Sequence, residues 1–173
     1  LRALLAQCRV QPPLDAPMVA FRLAPRLNAA GRLADPALAL DLLLESDEAR
    51  ARVLAQDLER LNGERQGLVA AAMAEATGAA RKSLAAGERL VIVKSRNWPQ
   101  GIVGLVAGKL CEQFRVPVVA LSNNHDEAVH VASCRALPGF DVAAFIGHFR
   151  ESFLKCGGHA AAGGFSIAAE GLA

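Results

Sequence analysis

What this chain has little of narrows the reading first. Its four cysteines, Cys8, Cys111, Cys134 and Cys156, are far apart and form no C-x-x-C pair. No secretory signal opens the chain, so free thiols in a reducing, cytoplasmic setting are expected. A large charge excess is missing too. The formal net charge is +2, which permits nucleic acid as a partner without demanding it. Any phosphate-binding surface must then come from local clustering. No apolar run reaches the length of a membrane span, so no membrane partner is expected. The chain begins at Leu1, in what reads as the middle of an element, and a piece of a longer protein is expected.

Several chemical motifs are absent as well. Gly101-Ile102-Val103-Gly104 does not match G-x-G-x-x-G. Gly104 to Lys109 is too short for a P-loop, and Leu110 stands where Ser or Thr would bind magnesium. There is no G-x-S-x-G elbow and no acid pair in a recognisable setting. Cys156-x-x-His159 resembles half of a zinc site, but no second half has suitable spacing. His125 and His130 are separated by a loop and a strand, so no structural zinc is expected.

What is present can bury a core: 173 residues, 53% of them hydrophobic, enough for one domain or for one domain plus part of another. Leu1 to Arg9 reads as the end of a helix, and Gln11 to Pro17 as a proline-fixed linker. Val19 to Leu23 alternates weakly and reads as a short strand. Asp35-Pro36 starts a helix over Ala37 to Glu45. Ser46-Asp47-Glu48 opens a longer one, with the Ser46 hydroxyl as cap and acids in its first turn. Its stripe of Val53, Leu54, Leu58, Leu61, Leu68, Val69 and Met73 has helical spacing. Its charges, Arg65 among them, read as a solvated face.

Gly87 ends the helical region. Arg89 to Lys94 is a β-branched strand, Gly101 to Glu112 a helix, and Val116 to Ser122 a second strand. That βαβ unit predicts a parallel pair with a right-handed crossover. Asn123 to Glu127 is a polar turn and Ala128 to Arg135 a third strand. Asp141 caps a helix through Phe153, and Phe165 to Ile167 closes the chain as a strand. From Gly87 onward the pattern is that of a compact α/β lobe.

Two stretches carry chemistry. In Lys155-Cys156-Gly157-Gly158-His159, glycines before an imidazole read as a tight turn, where exposed backbone amides and a donor side chain suit an anion. The plainer reading is a turn with a satisfied histidine. In Pro25-Arg26-Leu27-Asn28-Ala29-Ala30-Gly31-Arg32, two guanidinium forks stand among small residues, with Gly31 free to take a left-handed turn. The plainer reading there is solvated surface charge.

Taken in order, four pieces resemble the C-terminal part of RecJ-type single-strand-specific exonucleases of the DHH phosphoesterase superfamily. Arg26-Leu27-Asn28-Ala29-Ala30-Gly31-Arg32 resembles that family's R-[IL]-N-A-x-G-R segment. Trp98-x-x-Gly101-Ile102-Val103-Gly104 resembles its W-x-x-G-[VI]-[VI]-G helix start. Ser133-x-Arg135 with Gly139-Phe140-Asp141 resembles its G-S-x-R-S segment and the G-x-[DN] after it. Gly157-Gly158-His159 with Ala162 and Gly164-Phe165 resembles the G-G-H-x-x-A-A-G-[FL] signature of the DHHA1 lobe. Pro99, Ala132, Ala136 and Gly163 depart from the family's usual His, Gly, Ser and Ala.

The resemblance implies an α/β DHHA1-like lobe with a small mixed sheet flanked by helices. A long connecting helix and the tail of a DHH lobe would precede it. Residues 1–34 would end the DHH lobe, 35–86 would be connecting helices, and 87–173 the substrate-binding lobe. It implies a manganese- or magnesium-dependent parent that digests single-stranded DNA, 5′ to 3′, in DNA repair and recombination, with possible repair-protein partners. The metal-ligand aspartates and the D-H-H triplet would lie upstream, so this piece would bind no metal and would not be catalytic. Arg135 with Ser133, Gly157, Gly158 and His159 would hold a phosphate. Arg26, Asn28 and Arg32 would line the other side of a cleft. Trp98 would stack on a base or, equally, anchor a helix start. Alternatives are an oligonucleotide or cyclic-dinucleotide phosphodiesterase of the superfamily, a non-catalytic adaptor for replication partners, or an RNA-binding appendage like that of alanyl-tRNA synthetases.

Overall fold

The computed structural model describes residues 1–123 and 128–172. The polar turn expected over Asn123 to Glu127, with His125, lies outside the described residues except for Asn123. The chain forms two compact units, Leu1–Gly67 and Leu68–Ala173.

The first unit is helical: α1 Arg2–Gln7, α2 Ala16–Met18, α3 Ala24–Leu33, α4 Ala37–Leu44 and the start of α5, Glu48–Ala85. Val19–Leu23, expected as a strand, is a stretch of π-helix joining α2 to α3. The reason is local. The Asp15 carboxylate accepts from the Met18 amide at 2.7 Å and starts the helix. Pro25 lacks a donor, and the widened turn before it absorbs that gap. Gly31, expected in a left-handed turn, is instead an interior residue of α3. The cap of α5 is Asp47, whose carboxylate accepts from the Arg50 amide at 2.7 Å, rather than Ser46. Leu4, Leu23, Ala29, Ala30, Leu42, Leu58 and Leu61 form the core of this unit.

The second unit holds a five-stranded sheet in the order β1-β2-β3-β5-β4. Its strands are β1 Val91–Ser95, β2 Val118–Asn123, β3 Val129–Arg135, β4 Lys155–His159 and β5 Ala162–Ala168. β1 and β2 run parallel, joined through α6, Gln100–Phe114, as the βαβ pattern predicts. The remaining pairs are antiparallel. Asp141 caps α7, Val142–His148, by accepting from the Ala144 amide at 3.0 Å. That helix stops short of the expected Phe153, giving way to a 3-10 turn over Arg150–Ser152.

Gly157-Gly158-His159, expected as a turn, is extended strand, and the turn falls on Ala160 and Ala161. Gly158 is needed for close approach rather than for a bend. A Cβ on Gly158 would lie 2.5 Å from Gly163 Cα and 2.6 Å from the Ala162 carbonyl oxygen. The hairpin tip is tied down. The Ala161 carbonyl accepts from the Ala136 amide at 3.0 Å, and the Ala160 carbonyl from the Val142 amide at 2.9 Å. The second bond also satisfies an otherwise orphaned donor at the start of α7.

Candidate nucleic-acid interface

Strand pairing decides which side chains meet. Arg135 on β3 pairs with Ala162 on β5, and Ala162 pairs with His159 on β4. One step along, Ser133 pairs with Gly164 and Gly164 with Gly157. Residues directly opposite across antiparallel strands share a face, as do residues two apart on one strand. Ser133, Arg135, Gly157 and His159 therefore lie on one face. It is the α6 face: a Cβ on Gly104 of α6 would lie 2.9 Å from Arg135 Nη2 and 3.2 Å from Ser133 Oγ. Gly158 belongs to the opposite face with Gly163 and Cys134. There α7 covers the sheet, and a Cβ on Gly163 would meet Ile146 Cδ1 at 2.7 Å.

On the α6 face the edge strand β4 is exposed. Gly157 and His159 are exposed, and a Cβ on Gly157 would meet nothing within 4 Å. Gly164 and Gly157 thus form a strip of backbone floor without side chains. Ser133 and Arg135 stand at one side of it and His159 at the other. Lys155, exposed on β4, shares this face through its pairing with Ser166. No carboxylate stands in the paired rows from Arg135 to Val131.

The donors are oriented. Arg135 Nη1 donates to Ser133 Oγ at 2.8 Å and to the Cys134 carbonyl at 2.7 Å. Those two bonds hold the guanidinium and leave its Nε and Nη2 edge for a planar, two-oxygen acceptor. Ser133 Oγ accepts from the arginine, so its own proton is available to another acceptor. The Ala161 amide donates to His159 Nδ1 at 3.3 Å. This bond assigns the proton of a neutral ring to Nε2, which is then the donor.

The neighbouring thiols take no part. Burial pushes Cys134 from the ordinary 9.0 up to about 11, against a smaller opposing pull from Arg135. Cys111 is also raised, chiefly by burial. Both stay protonated and un-nucleophilic near neutral pH.

Trp98 is 4% exposed and its indole N–H donates to Glu75 Oε2 at 2.9 Å. Its ring faces are packed, so the base-stacking role is withdrawn and the helix-start anchor stands.

In the first unit, α3 carries Arg26, Asn28 and Arg32. Arg26 is already committed: Nε and Nη2 grip Glu59 at 2.5 and 3.2 Å, and Nη1 donates to the Arg22 carbonyl at 2.7 Å. Asn28 is exposed and Arg32 half-buried. Arg65, read from sequence as a solvated charge, joins this group. Its Nη2 donates to the buried Asn62 at 2.9 Å, and its Nε is buried without a hydrogen-bond partner. Burial lowers its pKa below the ordinary arginine value, and the nearby charges of Arg32 and Arg26 lower it further. The signal for Arg65 was its helical spacing from Glu59 and Asn62, which puts all three on one side of α5.

Among the described residues, no three His, Cys, Asp or Glu side chains come together to hold a metal ion. The described residues do not fit a manganese or magnesium site. No helix among them is long and apolar enough to cross a membrane.

The DHHA1 domain family matches residues 87–173, half of the chain. The chain belongs to the DHHA1 family. This DHHA1 chain is 33% identical over 152 residues to the single-stranded-DNA-specific exonuclease RecJ of Bacillus subtilis. The match takes in 88% of this chain and 19% of that protein, so the chain spans about a fifth of its relative's length. The Mn2+ complex of RecJ from Thermus thermophilus superimposes with a TM-score of 0.83 at 29% identity, over 96% of this chain and 24% of the other. The Mg2+ complex gives 0.80 at 30% identity, over 96% and 25%. The mixed sheet flanked by helices and the long helix before it are those of the RecJ structures.

Proposed function

We propose that this chain is the nucleic-acid-binding portion of a metal-dependent exonuclease that digests single-stranded DNA. In this reading residues 1–34 close a DHH lobe, 35–86 connect, and 87–173 bind substrate. The parent protein would work 5′ to 3′ in the cytoplasm, in DNA repair and recombination. Its manganese or magnesium ions would be held by residues outside this chain. By itself the chain binds and does not hydrolyse.

The observation that carries the reading is the row of Arg135, Ala162 and His159 beside the Gly164–Gly157 floor. Phosphodiester oxygens suit the Arg135 fork, the Ser133 hydroxyl and the His159 Nε2–H. Strands in a sheet are about 4.8 Å apart, so Arg135 and His159 are about 10 Å apart at Cα. That span favours a chain of linked anions over a single small one. A glycine floor admits the backbone of a flexible strand, whereas a duplex is too wide and stiff to lie in it. None of these donors reads a base edge, so binding is expected to be independent of sequence.

The test is direct. The purified chain is titrated with a fluorescent oligothymidylate and with a duplex of equal length, across a salt series, with and without Mn2+. Salt-sensitive binding that favours the single strand, with no cleavage, is expected. Equal affinity for duplex, or digestion that survives removal of contaminating nuclease, contradicts the reading.

A further inference from the structure

We infer that Gly104 is a positioning residue for Arg135: it is the seat that lets the guanidinium lie against α6 in its binding pose. The inference rests on the proposed phosphate-binding role of Arg135 and deepens it. Glycine is a poor choice for the interior of a helix, where only proline is worse, so its presence inside α6 asks for a reason. Gly108, one turn further on, has none in packing: a Cβ there would meet nothing within 4 Å. Gly104 differs. A Cβ there would stand 2.9 Å from Arg135 Nη2, 3.2 Å from Ser133 Oγ and 3.8 Å from Arg135 Cζ. Its nearest neighbours are thus the two side chains assigned to the phosphate.

The consequence follows from which atoms would have to move. Nη2 is the tip of a long flexible side chain, so a methyl at position 104 displaces the guanidinium and leaves the backbone alone. Displacement strains the Nη1 bonds to Ser133 Oγ and the Cys134 carbonyl that aim the fork. The fold survives, because α6 still buries Ile102, Val103, Val106, Ala107 and Leu110. Alanine is also the better helix former. A substitution that holds or raises stability would therefore lower anion binding.

The experiment compares the whole chain with Gly104→Ala, Gly108→Ala, Arg135→Ala and the Gly104→Ala/Arg135→Ala double variant. Each is titrated with fluorescent oligothymidylate and melted by circular dichroism. Gly104→Ala should bind on the order of tenfold more weakly, melt no lower than the parent, and add nothing once Arg135 is gone. Gly108→Ala should bind as the parent does. Unchanged binding by Gly104→Ala, while Arg135→Ala weakens it, overturns the inference and leaves the proposed function standing. So does a melting temperature lowered by Gly104→Ala alone. Parent-like binding by Arg135→Ala removes the phosphate role itself, and the seat with it.

Discussion

Arg135 and His159 stand in one row of the sheet, on strands that never touch, because each is paired with Ala162. The short side chain between them keeps the row open. The Ala161 amide leaves His159 with only Nε2–H to offer, so the ring acts as a donor there. His159→Gln, whose amide nitrogen falls near Nε2, should retain most single-strand binding. His159→Ala should lose roughly fivefold to tenfold. Equal loss in both, measured by anisotropy, would argue for a role of the ring other than donation.

The glycines of the hairpin separate into structural and functional ones. Gly158→Ala drives a methyl into backbone at 2.5 and 2.6 Å and should cost about 3 kcal/mol in urea denaturation. Gly157→Ala meets open space and should stay within about 0.5 kcal/mol of the parent. It nevertheless puts a methyl on the trough floor, so single-strand affinity should fall. A stable Gly158→Ala, or a Gly157→Ala with full affinity, would contradict the assignment of the two faces.

Trp98 gives a prediction of the opposite kind. Trp98→Phe removes the bond to Glu75 and some packing, at about 1–2 kcal/mol of stability. Binding of the oligothymidylate should not change. A large drop in affinity without loss of stability would restore the ring to the interface.

Cys134 sets an alkaline limit. Its thiol is raised from 9.0 to about 11 in the folded chain, so above pH 9 the unfolded chain releases a proton that the folded one keeps. Stability is therefore full below pH 9 and falls as pH rises toward 11. The fall amounts to about 2–3 kcal/mol from this group. Urea melts across that range should show the loss in the parent and less of it in Cys134→Ala. Parallel profiles would mean that the thiol is not desolvated.

Much of this was legible in the residues, and the gaps have physical causes. The β-branched runs of β1 and β2, with Gly87 before them and the apolar helix between, announce a parallel βαβ unit. β4 does not announce itself, because Gly157 and Gly158 are poor strand formers. Only the close approach of β4 to Gly163 explains Gly158. Val19–Leu23 alternates like a strand, yet the Asp15 cap and Pro25 decide for helix. Arg26 is neutralised by Glu59 across thirty-three positions of sequence, a contact that depends on how α3 meets α5 and that no local pattern encodes. Lys155 joins the α6 face with Arg135 and His159 only once its stretch is known to be a strand.

The most direct test of the central claim is the salt dependence of oligothymidylate binding by the parent and by Arg135→Ala/His159→Ala. Loss of the two phosphate contacts should weaken binding well beyond tenfold at low salt and flatten the plot of log affinity against log salt by about 0.7 to 1.4 units. Superimposable plots for the two proteins would show that the bound anions lie elsewhere.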